Sequence, residues 1–288
     1  MTRVIAVVGP TATGKSDLGV ALAKELGAEV VNADSMQLYR GMDIGTAKLT
    51  EDEREGVPHH LLDVWEPTQT ASVAAYQELA RALLDGPPKV FVGGSGLYLR
   101  AALDQLEFPG TDPELRAQLE ADLEAQGPGP MHQRLKDLDA EAAARMEPSN
   151  GRRIVRALEV VLLTGGMPGQ LTAYEPFVPT VYLGLDREDL ADRVNRRVDV
   201  MWDSGLVDEV RGLGPLGVTA ARALGYAQAT KQLEGTLTEA AAREQTKAAT
   251  RRFVRRQRSW FRRDPRITWL DPALDLLAQA KIILGKED

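Results

Sequence analysis

The sequence predicts an α/β fold in which a parallel sheet, covered by helices on both faces, is interrupted by a helical insertion. Short apolar runs alternate with helical patterns over residues 3–92, and such alternation is typical of parallel sheets. A second observation is a glycine-rich turn directly after the first apolar run, where parallel sheets bind their ligands. The third is a change of pattern after Pro109, since residues 112–164 contain no convincing strand.

The N-terminal elements follow one another closely. A strand is predicted over residues 3–8 and a helix over 16–26, which Gly27 ends. Later elements are predicted from apolar runs and from helical spacing. They are strands over 29–33, 60–64 and 89–92, with a helix over 72–84 between the last two.

The C-terminal part begins with the insertion, where three helical patterns are separated by GPGP and PSNG and followed by TGGMPG. Strand character returns over 180–186, and helices are predicted over 190–205 and 238–261. The strand-like ITWLD at 267–271 is predicted to close the chain. We expect a core formed by residues 1–110 and 178–288, with an insertion over 111–177.

Composition narrows the class of protein. The 288 residues include 43% hydrophobic residues, no cysteine and three histidines, so disulfide or thiolate chemistry is excluded and a zinc site is not expected. No run approaches the roughly 20 apolar residues of a membrane span. We expect a soluble, cytoplasmic protein, monomeric and without a membrane partner.

The glycine-rich turn is a phosphate-binding loop. Its eight residues match G-x-x-x-x-G-K-[ST] in full, between a strand and a helix. Glycines let successive N–H groups converge on one anion, the lysine neutralises phosphate charge, and the final hydroxyl can ligate Mg²⁺. The motif predicts a bound di- or triphosphate and does not say which one. The residues are Gly9, Pro10, Thr11, Ala12, Thr13, Gly14, Lys15 and Ser16.

Two polar residues follow strands at the same edge of the sheet. Asp34 ends the second strand, where it could act on a ligand of the loop or cap a helix with Gln37 in a capping box. Ser95 follows the strand at 89–92, where it could bind a ligand or simply form a turn among glycines. That strand carries no acid of the kind that holds Mg²⁺ and water in ATPases, although Asp63 is a possible substitute. From the residues alone, these alternatives stay open.

Arginines are concentrated near the C-terminus. The net charge is −7, yet the segment RRFVRRQRSWFRRDPR at 251–266 has eight arginines and one acid. On a helix, Arg251, Arg255, Arg258 and Arg262 form one stripe, with Phe253, Trp260 and Phe261 on the apolar side. Such a stripe favours a polyanion partner over a solvated face. Arg152, Arg153 and Arg156 form a second cluster in the insertion.

Several blocks together resemble the bacterial tRNA dimethylallyltransferases, also called isopentenyl-tRNA transferases. The resemblance covers nearly the whole chain in the family's order, and the NADSMQLYRGMDIGTAK and RRQRSWFRRDP blocks are more specific than the phosphate loop. The blocks are GPTATGKSDLGVALAKEL, NADSMQLYRGMDIGTAK, PHHLLDV, VGGSGLYLRAALD, PSNGRRIVRALEV, GLVDEVRGL, ALGY and RRFVRRQRSWFRRDP. The resemblance implies a P-loop fold of the nucleotide-kinase type.

The resemblance also implies an activity, the Mg²⁺-dependent transfer of a dimethylallyl group from its diphosphate to N6 of the adenosine 3′-adjacent to the anticodon. Asp34 would be the general base and Ser95, in the family's usual Thr position, a second catalytic residue. Ser16 would ligate the metal, and Arg222 would face the diphosphate. Residues implied to bind tRNA are Asp34, Ser35, Met36, Gln37, Ser95, Arg116, Arg152, Arg153, Ile154, Val155 and Arg156, and the stripe adds Arg255 and Arg258.

The sequence departs from the family pattern at two places, and two other functions remain as alternatives. GGMPGQLTA at 165–173 and ALGYAQ at 223–228 each lack a lysine that the family usually has. A small-molecule or nucleotide kinase would use the phosphate loop but not the arginine-rich helix. A non-enzymatic RNA-binding module would use the arginines but leave the loop and Asp34 without a role.

Overall fold

The computed structural model describes residues 4–166 and 173–285. It divides the chain into two compact units, Met1–Leu106 with Glu175–Asp288, and Glu107–Tyr174. The sequence-based boundaries were 110/111 and 177/178, so both structural boundaries lie slightly earlier in the chain. Within the described residues, no helix is both long and apolar enough to cross a membrane.

The first unit is built on a six-stranded sheet whose order is β3-β2-β4-β1-β5-β6. All five strand pairs are parallel, which confirms the predicted α/β class. Val8 pairs with Gly93 and Asn32 with Val92, so the carboxyl ends of three central strands meet at one edge. The strands are β1 Val4–Val8, β2 Glu29–Asn32, β3 His59–His60, β4 Lys89–Gly93, β5 Thr180–Leu185 and β6 Ile267–Leu270.

Several of the helices begin at residues whose side chains accept hydrogen bonds from their free N–H groups. Ser72 accepts a hydrogen bond from Ala75 N–H, and Asp112 accepts bonds from two backbone N–H groups of the first insertion helix. The first seven helices are α1 Lys15–Leu26, α2 Val73–Arg81, α3 Gly96–Leu103, α4 Pro113–Gln126, α5 Pro128–Leu138, α6 Ala140–Ala144 and α7 Gly151–Thr164. The remainder are α8 Leu190–Asp203, α9 Leu206–Leu213, α10 Tyr226–Leu233, α11 Glu239–Phe261 and α12 Leu276–Leu284.

Apolar residues of β1 alternate between two cores. Val4, Ala6 and Val8 face a cluster that includes residues of α2 and α3 together with Phe261 of α11. Ile5 and Val7 face a cluster formed with α1 and α12. The sheet is therefore covered on both faces, as continuous apolar strands require. Helices α4–α7 form the second unit around a core of their own, which contains Leu119, Met131, Leu135, Ile154 and Leu158.

Two sequence-based elements were wrong in the structure. The strand predicted over 60–64 ends at His60, because Leu61 (φ 60°) and Asp63 (φ 56°) adopt left-handed backbone conformations that a strand does not tolerate. The chain does not close on a strand, since α12 follows β6. Residue 3, predicted to begin the first strand, lies outside the described residues.

We predict that Gly93→Ala destabilises the protein. An added Cβ would lie 2.2 Å from Ala33 O and 2.3 Å from Ala33 C, so the ends of β2 and β4 would have to separate. The expected loss is about 1–3 kcal/mol in the free energy of unfolding, measured by urea denaturation.

Gly212→Ala is the matched control, because no heavy atom lies within 4 Å of its added Cβ and the residue is inside α9. Its effect should be neutral or stabilising by about 0.5–1 kcal/mol. Equal losses in the two variants would contradict close packing at Gly93.

Candidate active site

The phosphate loop joins β1 to α1 and is held by its own carbonyl groups. The Thr13 hydroxyl donates to Pro10 O at 2.9 Å, and Lys15 Nζ donates to the same oxygen at 2.5 Å. Gly14 has a left-handed φ of 92° at the start of α1, which leaves that helix N-terminus without a side-chain cap. Its N–H groups can therefore bind an anion.

A small cavity of about 60 Å³ brings the loop together with the ends of the strands. Lys15, Ser16, Asp34 and Arg197 all line it. Burial, together with the nearby charge of Arg197 and against the opposing charge of Asp34, lowers the pKa of Lys15 to about 7. Burial also lowers the pKa of Arg197. Burial thus disfavours the charged forms of both side chains in this cavity. A bound anion would stabilise both charges.

A larger cleft of about 570 Å³ opens beside the loop and shares Lys15, Ser16 and Arg197 with the cavity. Arg193 also lines it, and its guanidinium donates to Ala12 O at 2.6 Å. Sequence analysis missed Arg193 and Arg197. Their i, i+4 spacing on a helix that follows a strand was the available signal, but nothing in the sequence placed that helix against the loop.

Asp34 is held in a turn rather than at a helix start. Its Oδ1 accepts Met36 N–H at 3.0 Å, while its own N–H donates to Asn32 Oδ1 at 2.8 Å. The capping box that would pair Asp34 with Gln37 does not form, because Gln37 Nε2 donates to Thr46 O and Ala47 O at 3.2 and 3.3 Å. The Asp34 carboxylate thus remains at the cavity, with a fixed backbone.

Ser95 connects the ends of two strands. Its Oγ accepts Ser35 N–H at 3.1 Å, and its hydroxyl donates to Ser35 Oγ at 3.3 Å. It is therefore more than a turn residue, although in the structure it contacts the Asp34 loop and not the P-loop. Gln257, which sequence analysis did not single out, connects the P-loop to the same edge. Its amide accepts Thr11 N–H and donates to Gly94 O, both at 3.0 Å.

The donor set at the loop suits Mg²⁺ bound together with a phosphate. Within residues 4–166 and 173–285 there is no group of three His, Cys, Asp or Glu side chains that could hold a metal alone. Magnesium commonly takes one or two protein oxygens and completes its shell with phosphate and water. The Ser16 hydroxyl, which lines the cavity, fits that mode.

Arg222, predicted to face the diphosphate, is exposed and lines neither the cavity nor the cleft. It belongs to a short 3₁₀ turn, Ala220–Arg222, before α10. A role for Arg222 at the diphosphate therefore stays a prediction. Arg193 and Arg197 of α8 lie beside the loop.

The four arginines of the insertion that were predicted to bind tRNA fall into two kinds. Arg116 and Arg156 both donate to Glu159, whose side chain is fully buried. Burial would raise the pKa of Glu159, but its hydrogen bonds from these arginines lower it below its ordinary value. Arg152 and Arg153, by contrast, are exposed. Only the second pair has guanidinium groups free of this buried carboxylate.

Ile154 and Val155 were predicted to contact tRNA through the block around them. Their side chains are 0% and 2% exposed and belong to the core of the helical unit. The prediction that these two side chains contact tRNA is therefore wrong. The family block RRIVR combines exposed arginines with two core residues, as an amphipathic helix requires. Residues 167–172, most of the GGMPGQLTA segment that lacks a lysine, lie outside the described residues.

Helix α11 presents a mixed surface. Its buried residues are Ala242, Thr246, Val254, Gln257 and Phe261. Arg258 Nε donates to Asp186 Oδ1 at 2.8 Å, and Arg262 donates to Asp186 Oδ2 at 3.2 Å, so part of the arginine stripe is paired within the molecule. Arg252 and Arg255 are exposed. The predicted stripe therefore contains both structural and solvent-facing arginines.

Comparison with known proteins identifies the family. A family model described as IPP transferase matches residues 37–264. The chain belongs to the IPP transferase family. A tRNA dimethylallyltransferase of Thermobifida fusca is 59% identical over 97% of this chain and 93% of the relative, and one of Streptomyces coelicolor is 60% identical over 93% and 90%.

Solved structures of IPP transferases share the fold. The full-length tRNA isopentenylpyrophosphate transferase of Bacillus halodurans superposes with a TM-score of 0.73 at 39% identity, covering 99% of this chain and 97% of that one. A eukaryotic dimethylallyltransferase acting on tRNA gives a TM-score of 0.81 at 25% identity, covering 100% and 79%. The predicted family and P-loop fold are confirmed.

We predict that Arg116→Gln destabilises the chain whereas Arg153→Gln does not. The first substitution leaves the buried Glu159 carboxylate with one guanidinium fewer, and we expect a loss of about 1–3 kcal/mol in urea denaturation. Arg153 is exposed, so its replacement should change stability by less than about 0.5 kcal/mol. Indistinguishable transitions for the two variants would contradict a structural role for Arg116.

Proposed function

We propose that this protein transfers a dimethylallyl group from dimethylallyl diphosphate to N6 of the adenosine 3′-adjacent to the anticodon of tRNA, releasing diphosphate. Family membership and the names of the curated relatives support tRNA prenylation. One observation in the structure carries the finer proposal. A single cavity is lined by two cations, Lys15 and Arg197, and by one carboxylate, Asp34.

The cations suit the leaving group. When the C–O bond to the diphosphate breaks, its electron pair passes to the diphosphate, whose charge grows. Loop N–H groups, Lys15 and Arg197 would stabilise this charge from fixed positions. Ser16 would hold Mg²⁺, which supplies further charge stabilisation to the diphosphate oxygens when bound. This division of labour needs no activated water, consistent with the sequence Gly93-Gly94-Ser95 at the end of β4.

The carboxylate suits the nucleophile. An adenine amino group is a weak base, so it must lose a proton as its bond to carbon forms. Asp34 would accept that proton in its ionised form. Two hydrogen bonds fix the orientation of Asp34. Its carboxylate accepts one from Met36 N–H, and its own N–H donates the other to Asn32 Oδ1. Ser95 would support this arrangement by holding the neighbouring Ser35.

The rival functions explain less of the structure. A small-molecule kinase would use the loop, but would leave the exposed arginines of α7 and α11 unused. An RNA-binding module without activity would leave unexplained why Lys15 and Arg197 stand beside Asp34. We further propose that the solvent-facing Arg152, Arg153 and Arg255 bind the anticodon stem-loop, and that the enzyme acts as a cytoplasmic monomer.

We predict that wild-type protein mixed with unmodified tRNA, dimethylallyl diphosphate and Mg²⁺ produces an adenosine heavier by one C₅H₈ unit. The product is measured by mass spectrometry after digestion to nucleosides. Asp34→Asn keeps the size of the side chain but removes the base, so turnover should fall by about 10²–10⁴-fold. Its affinity for inorganic diphosphate should stay within about threefold of the wild type, because the carboxylate is not placed to bind the anion.

The assay separates the candidates. Consumption of ATP with a small acceptor, and no modified adenosine, would support the kinase. An Asp34→Asn variant with near-normal turnover would remove this residue from proton transfer. Omitting the diphosphate donor is the negative control.

We predict that Arg252→Gln combined with Arg255→Gln weakens tRNA binding and flattens its salt dependence. Each phosphate contact contributes about one unit to the slope of log K against log salt, so the double variant should lose about one to two units. Arg243→Gln, on the same helix but paired with Asp203 and Glu239, is the control and should leave the slope unchanged. If the wild type, the double variant and Arg243→Gln all gave the same slope, the exposed face of α11 would be a solvated surface that does not contact tRNA.

A further inference from the structure

The segment DIGT, residues 43–46, surrounds a carboxylate with backbone N–H groups. Glu209 of α9 accepts hydrogen bonds from Asp43 N–H at 3.1 Å, Ile44 N–H at 2.7 Å and Gly45 N–H at 3.4 Å. The Tyr226 hydroxyl donates to the same carboxylate at 2.5 Å. Four donors therefore converge on Glu209, in the way that successive N–H groups bind an anion.

Close packing fixes this arrangement. A Cβ on Gly45 would lie 2.3 Å from Tyr226 Cε2 and 2.9 Å from Leu206 Cδ1, so the backbone lies directly against the ring and α9. Burial, followed by the bond to Glu209, raises the pKa of Tyr226 well above its ordinary value, which keeps the phenol protonated as a donor. Three blocks that the catalytic chemistry leaves unused thus meet at one point, DIGT, GLVDEV and ALGY.

The other end of the segment is anchored by Lys48. Its buried ammonium donates to Asp43 Oδ1 and Asp63 Oδ1, both at 2.6 Å, and to Tyr39 O at 2.9 Å. Residues 43–48 therefore have little freedom, because both the N–H groups at the start and the side chain at the end are bonded. The carbonyl groups between them are held in fixed directions.

Those carbonyls orient two side chains of the cavity. Thr46 O accepts Gln37 Nε2 at 3.2 Å and an Arg197 guanidinium N–H at 3.3 Å. Gln37 belongs to the loop that begins at Asp34, and Arg197 faces Lys15 across the cavity. Glu209 itself lines neither the cavity nor the cleft. The contacts that link it to the cavity run through the segment that it holds.

We propose that Glu209 is a positioning residue for prenyl transfer, which through the backbone of residues 43–46 aligns Arg197 with the diphosphate and Gln37 with the tRNA loop. This inference rests on the proposed function for its substrates. A positioning role differs from a purely stabilising one. If Glu209 positions the segment, its loss shifts Thr46 O and so changes the directions of Gln37 and Arg197, while the hydrophobic core stays intact.

The test compares Glu209→Gln with Asp208→Asn. In the first variant an NH₂ group replaces one acceptor oxygen, so at least one backbone N–H loses its partner. Asp208 is the adjacent exposed carboxylate and pairs only with the exposed Arg211 among the described residues. Steady-state kinetics are measured with tRNA and dimethylallyl diphosphate below the unfolding temperature of each variant, and affinity for inorganic diphosphate is measured by calorimetry.

For Glu209→Gln we expect a fall of about tenfold or more in kcat/KM for dimethylallyl diphosphate and weaker diphosphate binding by about fivefold. Asp208→Asn should stay within about twofold of the wild type. A Glu209→Gln variant that melts earlier but keeps wild-type kcat/KM and diphosphate affinity would overturn the proposal, since the bond would then serve stability alone.

Tyr226→Phe covers the case in which Glu209→Gln does not fold. It removes the hydroxyl that holds the Glu209 carboxylate against the backbone N–H groups of residues 43–45, so a loss of about threefold in kcat/KM is expected and wild-type kinetics would overturn the proposal. The calorimetry needs no tRNA. If wild-type protein fails to modify tRNA while Glu209→Gln still weakens diphosphate binding, the proposed function fails and the positioning role stands.

Discussion

The amide of Gln257 is the contact on which the rest of the site depends. It is buried, and its two hydrogen bonds join the start of the phosphate loop at Thr11 to the turn after β4 at Gly94. The parallel sheet brings the strand ends to one edge, and anion binding also needs N–H groups in fixed directions. The Gln257 amide from α11 bonds to both segments and so fixes the loop against the turn. The loop, the strand end and the arginine-rich helix therefore act as one rigid assembly.

This contact also explains the glycines of the GGSG turn. A Cβ on Gly94 would lie 2.3 Å from Gln257 Nε2, and one on Gly96 would lie 2.0 Å from Trp260 Nε1. Helix α11 lies so close to the turn that only glycine fits at both positions. Ser95, between them, is then directed to Ser35. Helix α11 is thus connected to the Asp34 loop through one residue, Ser95.

Local signals in the sequence were sufficient for the elements with strong periodicity and for the phosphate loop. They were sufficient for Lys15 as well, because it belongs to the phosphate-loop motif. They also placed Asp34 at the same edge of the sheet, but its role stayed open until the family resemblance was considered. Arg197, Gln257 and Glu209 could not be predicted in this way, since each acts on a segment more than 100 residues away in the chain. Arg116, Ile154 and Val155 show the converse. Sequence resemblance assigned all three to tRNA binding. In the structure, Arg116 pairs with the buried Glu159, and Ile154 and Val155 lie in the core of the helical unit.

The electrostatics of the cavity favour a ligand with concentrated negative charge. Lys15 and Arg197 line the same small cavity, and burial disfavours the charged forms of both. Asp34 offsets this only in part, because one carboxylate faces two cations. A diphosphate would reverse the effect, since its charge stabilises both cations at once. It would also gain charge as it leaves a carbon atom, so the same groups would bind the departing diphosphate more strongly than the substrate. Differential binding of that kind is what lowers a barrier, and a site with fixed cations provides it without moving any side chain.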